Sequence, residues 1–207
     1  MARRGIPEVN AGSMADIAFL LLIFFLVTTT IETNSGINRK LPPKQEEEPE
    51  EVIIKQKNIF TVVVNKDGRL LVEEELMDIK DLRAAAVAFL DNGGGEGEKG
   101  NRCDYCKGAR DPESSDHPNK AIISLQNDRE TKYETYIAVT NELVAAYNEL
   151  RDREAMRIFN TKFTAMDAEY QAGKTSQERK DILKPKIERI QEMYPQKLSE
   201  AEPRKNN

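Results

Sequence analysis

The sequence contains no tryptophan, one histidine and two cysteines in 207 residues. Any catalytic triad or metal site that uses histidine would have to be built around His117. Two cysteines are too few for a scaffold held together by many disulfides. An excess of basic residues is also missing, because 31 lysines and arginines face 36 acidic residues, for a net charge of −5. This balance argues against nucleic-acid binding, which needs a basic stripe.

Long apolar runs are equally scarce, and nearly all the strong apolarity lies in one block near the N-terminus. The run from Ile17 to Ile31 has 15 residues, which reach roughly 22 Å as a helix. A bilayer core of about 30 Å needs about 20 helical residues. A spanning helix must therefore include Asp16 and the residues before it, or hold the threonines at its far end inside the membrane. We predict a transmembrane helix over residues 14–33.

The acidic residue at the start of this block, Asp16, admits two interpretations. A charged aspartate at the centre of a spanning helix costs about 2.5–3.5 kcal/mol, so it usually faces a protein interior or a water path. Desolvation disfavours the charged carboxylate, so such a group can take up and release a proton. Alternatively, Ser13 and Asp16 fit the [ST]-x-x-[DE] pattern of a helix cap at the membrane surface. The short span favours the first interpretation.

Helical spacing places four further residues on the face that carries Asp16, namely Leu20, Ile23, Val27 and Thr30. We expect this face to point towards partner helices, because a lone helix cannot enclose a carboxylate. The interpretation therefore requires a partner membrane protein, self-association or both.

The basic residues Arg3 and Arg4 precede the apolar block and favour a cytoplasmic N-terminus. A cleaved signal peptide would also begin with basic residues, but its apolar core is shorter and a small-residue cleavage site follows it. We therefore expect an uncleaved, single-pass anchor, with residues 1–13 as a cytoplasmic tail and the bulk of the chain outside the cytoplasm.

Several of these segments together resemble the ExbD/TolR family: Ile6-Pro7-Glu8-Val9-Asn10, Asp16-Ile17, the run from Leu20 to Val27, and Leu41-Pro42. The resemblance continues more weakly through residues 59–72 and 122–134. One departure is the stretch from Gly12 to Ala15, where the family commonly has a proline.

The resemblance implies an inner-membrane subunit of a motor driven by the proton-motive force, in which Asp16 matches the proton-carrying aspartate. Two copies of the chain would sit in a ring of a multi-pass partner like ExbB or TolQ. A periplasmic domain would pass the work to a TonB-like protein serving outer-membrane transporters. Protons would be the coupling ion, and we expect no enzymatic activity, no cofactor and no metal. The TolR-like alternative is a role in the Tol–Pal envelope system.

The rest of the chain predicts an α+β architecture with a small two-layer α/β periplasmic domain. We assign residues 34–57, which contain an acidic and proline-rich run, to an extended linker. Residues 58–163 form the domain, with an insertion at 91–119, and residues 164–207 form a polar C-terminal extension that is helical or disordered.

Within the domain, runs of β-branched residues and 3.6-residue periodicity predict the order ββαβα with a final strand. The predicted elements are strands at 59–64 and 70–72, a helix from about 79 to 90 after Asp78, a strand at 121–125, a helix from 133 to about 150, and a last strand at 156–163. The apolar stripe of a C-terminal helix is assigned to Ile182, Lys186, Ile190, Met193 and Tyr194.

The two cysteines, Cys103 and Cys106, lie in the glycine-rich insertion. Outside the cytoplasm, a local structural disulfide is the simplest interpretation. A zinc site completed by His117 and either Asp104 or Asp116 is an alternative. A redox motif is a third, although its first cysteine should begin a helix and the flanks here are typical of a loop. If a redox or ligand-binding role were the main one, the protein would be a periplasmic module merely tethered to the membrane.

Overall fold

The computed structural model describes residues 11–28 and 55–201. In these residues the chain forms five α-helices and a five-stranded sheet, so the predicted mixed α+β class is confirmed. The two described stretches belong to separate compact units. The tail at 1–13 and the linker at 34–57 lie mostly outside the described residues, and the domain boundaries stay predictions.

The first unit contributes one described helix, α1, which spans Ala11–Thr28. Its 18 residues correspond to a length of about 27 Å. Across residues 11–28 and 55–201, no helix meets the combined length and apolarity expected of a membrane span.

The second unit is built on a sheet with the strand order β3-β2-β1-β4-β5. Its strands are β1 (Ile59–Val64), β2 (Leu70–Val72), β3 (Glu75–Met77), β4 (Ile122–Asn127) and β5 (Leu198–Ala201). The hairpin neighbours β1, β2 and β3 are antiparallel. The pairs β1–β4 and β4–β5 are parallel. Parallel neighbours need crossover connections, which the helices supply.

The central pair β1–β4 shows why these segments become strands. In β1 every second residue is buried, namely Phe60, Val62 and Val64. In β4 Ile123 and Leu125 are buried in the same alternation. A period of two buries one face of a sheet, and β-branched side chains pack well there. The predicted strands at 59–64, 70–72 and 121–125 are thus confirmed.

A third strand of the meander, β3, was not predicted. It follows β2 through a two-residue turn in which Glu73 and Glu74 both have positive φ, 49° and 70°. Such a tight turn suits two antiparallel strands, but its usual signal is Asn-Gly or Asp-Gly. Two glutamates carry no such signal, so residue types alone offered no reason to expect a hairpin there.

Two helices cover the buried face of the sheet. Helix α2 (Ile79–Leu90) begins after Asp78, as predicted, and buries Leu82, Ala86 and Leu90. Helix α3 (Tyr133–Phe159) buries a stripe that includes Leu143. These side chains and the inward residues of the strands form one apolar core.

The strand predicted at 156–163 is wrong, because α3 continues to Phe159. The helix ends only at Asn160, which has the left-handed conformation common at helix C-termini. Ion pairs from Glu154 to Arg153 and Arg157 run along the last turns. Apolar residues near 156–163 suggested a strand, but Ile158, Phe159 and Phe163 pack in a second cluster with the following helices, and Met156 is exposed.

That second cluster contains six buried residues from α3, α4 (Phe163–Gln171) and α5 (Gln177–Met193): Ala155, Phe163, Met166, Leu183, Ile187 and Ile190. Within α5 the predicted stripe is partly wrong, because Leu183 and Ile187 are buried whereas Ile182 is 51% exposed. After α5 the chain returns to the sheet as β5. Residues 163–201 are therefore packed into the unit that contains the sheet.

This packing predicts unequal effects for two isoleucines of α5. Ile190→Ala should lower the free energy of unfolding by about 2–5 kcal/mol, because it leaves a cavity at a fully buried position. Ile182→Ala, the matched control on the exposed side, should change it by less than about 0.5 kcal/mol. Urea denaturation followed by circular dichroism measures both, and equal effects would contradict the packing of α5.

Candidate functional site

Helix α1 places the carboxylate of Asp16 inside a regular helix rather than at its end. The described part of the helix runs from Ala11, and its first turn contains no acidic residue. Asp16 is the sixth residue, so its backbone N–H lies beyond the four that need a cap. The interpretation of Ser13 and Asp16 as a helix cap therefore does not fit the structure.

The side chains around Asp16 are apolar and exposed on all sides of α1. On its own face, Leu20 is 58%, Ile23 42% and Val27 75% exposed. On the opposite side, Phe25 is 60% exposed. Thr30, the last residue assigned to this face, lies outside the described residues.

The polar residue at the far end of α1 is satisfied within the helix. The hydroxyl of Thr28 donates a hydrogen bond of 2.7 Å to the carbonyl of Phe24. Such a bond to the preceding turn lets threonine lie in an apolar environment without an unpaired donor. The side chain of Asp16 ends in a carboxyl group and not in a hydroxyl, which separates it chemically from Thr28.

In the second unit, Cys103 and Cys106 are joined by a disulfide. Both residues are buried, with 2% and 5% of their surface exposed. The amide of Cys106 also donates to the sulfur of Cys103. Buried sulfurs outside a helix N-terminus favour a structural role over thiol chemistry.

The other residues considered for a zinc site have different partners. Asp116 accepts one hydrogen bond from the Asn58 side chain, and its backbone amide donates another to Asn58 Oδ1. Its carboxylate Oδ1 lies 2.6 Å from Lys57 Nζ. Burial raises the pKa of Asp116, but the hydrogen bonds from Lys57 and Asn58 and the charges of Lys57 and Lys55 outweigh it, so the pKa is below its usual value. Among the described side chains, no three His, Cys, Asp or Glu residues form a group suited to a metal ion.

A buried ionic cluster links the end of α2 to α3 and α5, and sequence reasoning missed it. The carboxylate of Asp91 receives two hydrogen bonds from the Arg153 guanidinium, at 2.6 and 2.8 Å. The Tyr194 hydroxyl donates to the same carboxylate at 2.6 Å. Bidentate arginine–carboxylate pairs are among the stronger hydrogen-bonded contacts. The three residues are far apart in sequence, so no local pattern could reveal them.

A second buried arginine, Arg151, holds the end of α5. It donates two hydrogen bonds to the carbonyl of Tyr194, at 2.9 and 2.7 Å, and lies over the rings of Tyr147 and Phe163. Burial lowers the pKa of Arg151 to about 10. It is thus still charged at neutral pH, and its role is structural.

The loop at 91–119 owes its tight packing to glycines. A side chain at Gly94 would overlap the carbonyl oxygen of Asp111, and one at Gly95 would overlap the carboxylate of Asp116. The side chain of Asn92 fills the interior with hydrogen bonds to Asp111 and Ser115. This stretch is ordered by its own contacts although it has almost no regular secondary structure.

Comparison with known protein families shows where this chain has relatives. Residues 2–151 match the family model of the biopolymer transport protein ExbD/TolR. This range covers α1 with Asp16, the sheet from β1 to β4, and most of α3. A search of curated proteins finds no match.

The glycine packing predicts a strong effect of a single methyl group. Gly94→Ala should lower the free energy of unfolding by about 1–3 kcal/mol, because the new Cβ meets backbone that cannot move freely. Gly173→Ala is the matched control, since nothing lies within 4 Å of the place that its methyl group would take. Thermal unfolding under oxidising conditions measures both, and a neutral Gly94→Ala variant would show that the loop is loosely packed.

Proposed function

Because the chain belongs to the ExbD/TolR family, we propose that it is an inner-membrane subunit of a motor driven by the proton-motive force, with Asp16 carrying the proton. One observation supports this most directly: a carboxylate lies within a regular helix whose surrounding side chains are apolar and exposed. Its environment must come from lipid and from other membrane proteins.

The exposed surface of α1 is costly in water. Full burial of a leucine, isoleucine or phenylalanine side chain is worth about 1.5–3 kcal/mol, and α1 exposes ten large apolar residues. A bilayer or a ring of partner helices would remove this surface from water. The described helix has 18 residues, whereas a span needs about 20, so a complete span must use residues beyond it. The apolar run in the sequence continues to Ile31.

The proposed mechanism follows from the cost of charge in an apolar layer. A charged aspartate at the centre of a spanning helix is disfavoured by about 2.5–3.5 kcal/mol, so Asp16 is held neutral where it meets apolar surface. It takes up a proton where a partner offers a polar path from the periplasm, and it releases that proton where the partner offers a polar path to the cytoplasm. Alternation between these two positions lets protons cross only when the helices move relative to one another.

The partners we propose are a multi-pass ring protein of the ExbB/TolQ kind, a second copy of this chain, and a TonB-like protein that spans the periplasm. The main domain would lie in the periplasm and transmit the work. The sheet supports a docking role because β3 and β5 are its outer strands, and Leu76 on β3 is 74% exposed. Edge strands of this kind can pair with an extended partner segment.

We favour the ExbD-like role, energising TonB-dependent outer-membrane transport, over the TolR-like role in envelope maintenance. Both roles use the same membrane machinery and differ in the protein that receives the work. Their phenotypes differ: loss of the first impairs nutrient uptake, and loss of the second causes detergent sensitivity and envelope leakage.

Asp16→Asn should abolish energised uptake while the protein remains in the membrane, because asparagine has a similar shape but cannot exchange a proton. Thr28→Val is the matched control on the same helix, and it should keep uptake near wild type because the Thr28 hydroxyl bonds only within the helix in the structure. Uptake by an Asp16→Asn strain and membrane fractionation provide the measurement. Unchanged uptake together with unchanged detergent resistance in Asp16→Asn or Asp16→Ala would refute the role of Asp16. An uptake-proficient but detergent-sensitive strain would assign the TolR-like role.

We expect that a multi-pass protein will purify from membranes together with the full chain. Each complex should contain two copies of this chain and more than two copies of the multi-pass protein. Native mass spectrometry gives the composition and ratio. The Asp16→Asn variant should assemble equally well, which separates assembly from proton transfer. Recovery of the wild-type chain alone, with its anchor intact, would count against a ring partner.

A further inference from the structure

The segment that connects α5 to β5 is held by the loop that contains the disulfide. Tyr105 donates from its hydroxyl to the carbonyl of Met193 at 2.8 Å and packs edge-on against Tyr194. Four residues later, Lys197 donates to Glu98 at 2.9 Å and to the carbonyl of Asn119. We call loop residues 97–119 the clasp, because contacts at both of its ends hold the approach to β5.

Strand β5 is a short edge strand that pairs with four residues of β4, and its Glu200 accepts a hydrogen bond from the Tyr136 hydroxyl. The strand is four residues long, and the middle two, Ser199 and Glu200, are exposed. Its apolar anchor is Leu198, which is partly buried against the main core. The ladder to β4 begins with the amide of Ile123, which donates to the carbonyl of Lys197 at 2.9 Å. Since Lys197 also makes the clasp contact, the position of the strand depends on the clasp.

His117 lies inside the clasp and is only 4% exposed. Its Nδ1 accepts a hydrogen bond from the amide of Asn119 at 3.2 Å, so the neutral ring carries its hydrogen on Nε2. No hydrogen-bond partner of Nε2 is present among the described groups, and the ring packs edge-on against Tyr105. Protonation of Nδ1 would break the Asn119 contact and create a charged ring with a second unpaired N–H.

The charged groups around His117 do not compensate for such a charge. Burial lowers the pKa of His117, and Lys120, at the entrance to β4, adds to the effect. A hydrogen bond with the Asn119 side chain, distinct from the amide contact at Nδ1, and the clasp carboxylates of Glu98 and Asp104 act in the opposite direction without reversing it. On the β5 side the charged neighbour of the clasp is Lys197, whose ammonium binds Glu98.

We propose that the clasp is a pH-sensitive latch: protonation of His117 opens it and releases β5 from the edge of β4. Two short series of contacts connect His117 to the residues at the start of β5. On one side, Asn119 connects it to Lys197, and on the other, Tyr105 connects it to Met193 and Tyr194. The latch lies in the insertion and the C-terminal part of the chain and needs no contribution from Asp16.

The direction and size of the response follow from linkage. The closed state binds the proton less well than the open state, so closure is fully stable above the ordinary histidine range and weakens as pH falls through it. With an ordinary pKa of 6.5, protonation in the open state favours opening by at most about tenfold at a pH one unit below that value.

Hydrogen–deuterium exchange of the full-length chain in detergent, compared between neutral pH and about one unit below the ordinary histidine pKa, tests this. After correction for intrinsic exchange rates, protection of 97–119, 122–127 and 193–201 should fall together, by up to about tenfold. His117→Gln, which cannot take up a proton, should remove the response. Lys197→Met should lower protection of β5 already at neutral pH. Asp16→Asn should respond as wild type, so failure of the motor proposal and failure of the latch are distinguishable.

Since the chain has a single histidine, its titration can also be followed directly by exchange of the imidazole C2 hydrogen in an untagged protein. Its midpoint should coincide with the loss of protection in β5, a result that does not depend on any variant folding well. A pH response that persists unchanged in His117→Gln, or a midpoint separate from that of the imidazole, would overturn the latch. Opening of 97–119 without a change in 193–201 would overturn it as well.

Discussion

The parallel pairing of β1 with β4 is the contact on which the described domain depends. Six residues of each strand are in register, from Ile59 opposite Ile122 to Val64 opposite Asn127. The β2–β3 hairpin extends the sheet on one side and β5 extends it on the other. Because two parallel strands need a crossover connection, the chain must return to the starting end of the sheet between β1 and β4. Helix α2 and the loop at 91–119 lie in this connection.

A different constraint governs the N-terminal helix. An isolated apolar helix with one carboxylate is poorly suited both to water, which it meets with exposed apolar side chains, and to lipid, which it meets with Asp16. Water accommodates the carboxylate but not the apolar side chains, and lipid accommodates the apolar side chains but not the carboxylate. The proposed ring of partner helices in a membrane would satisfy both requirements, because the apolar faces would pack against it and the carboxylate would gain a polar path. This chemistry agrees with membership of the ExbD/TolR family.

The two regions outside the main sheet and its helices, the loop at 91–119 and the α4–α5 pair, depend on one another. Asp91, Arg153 and Tyr194 join them through a buried ionic cluster. The Cys103–Cys106 disulfide places Tyr105 where it contacts the end of α5. Polar contacts of this kind fix the relative positions of the segments but add little to the free energy of unfolding. The reason is that the desolvation cost of burying charges offsets much of the favourable energy of their pairing. Such contacts suit a segment whose proposed role includes opening.

Local signals in the sequence were enough to identify β1, β2, α2 and β4, since each has a regular apolar period and a recognisable boundary. The acidic residue in an apolar block pointed to Asp16 for the same reason: hydropathy and charge are properties of neighbouring residues. The signals failed where a boundary was atypical. The Glu73–Glu74 turn hid β3, and the apolar residues after Met156 suggested a strand although Asn160 ends a long helix.

The placement of β5, the Asp91–Arg153–Tyr194 cluster and the contacts of the clasp could not be read from residue order. The hydrogen bonds that make them join residues 41 to 103 positions apart, and such contacts depend on how the elements pack rather than on local periodicity. Hydrophobic patterning decides which faces are buried, because it acts over one or two turns of chain. Which polar groups meet in the interior is settled only when all the elements are packed together, because each of those groups must then find a partner.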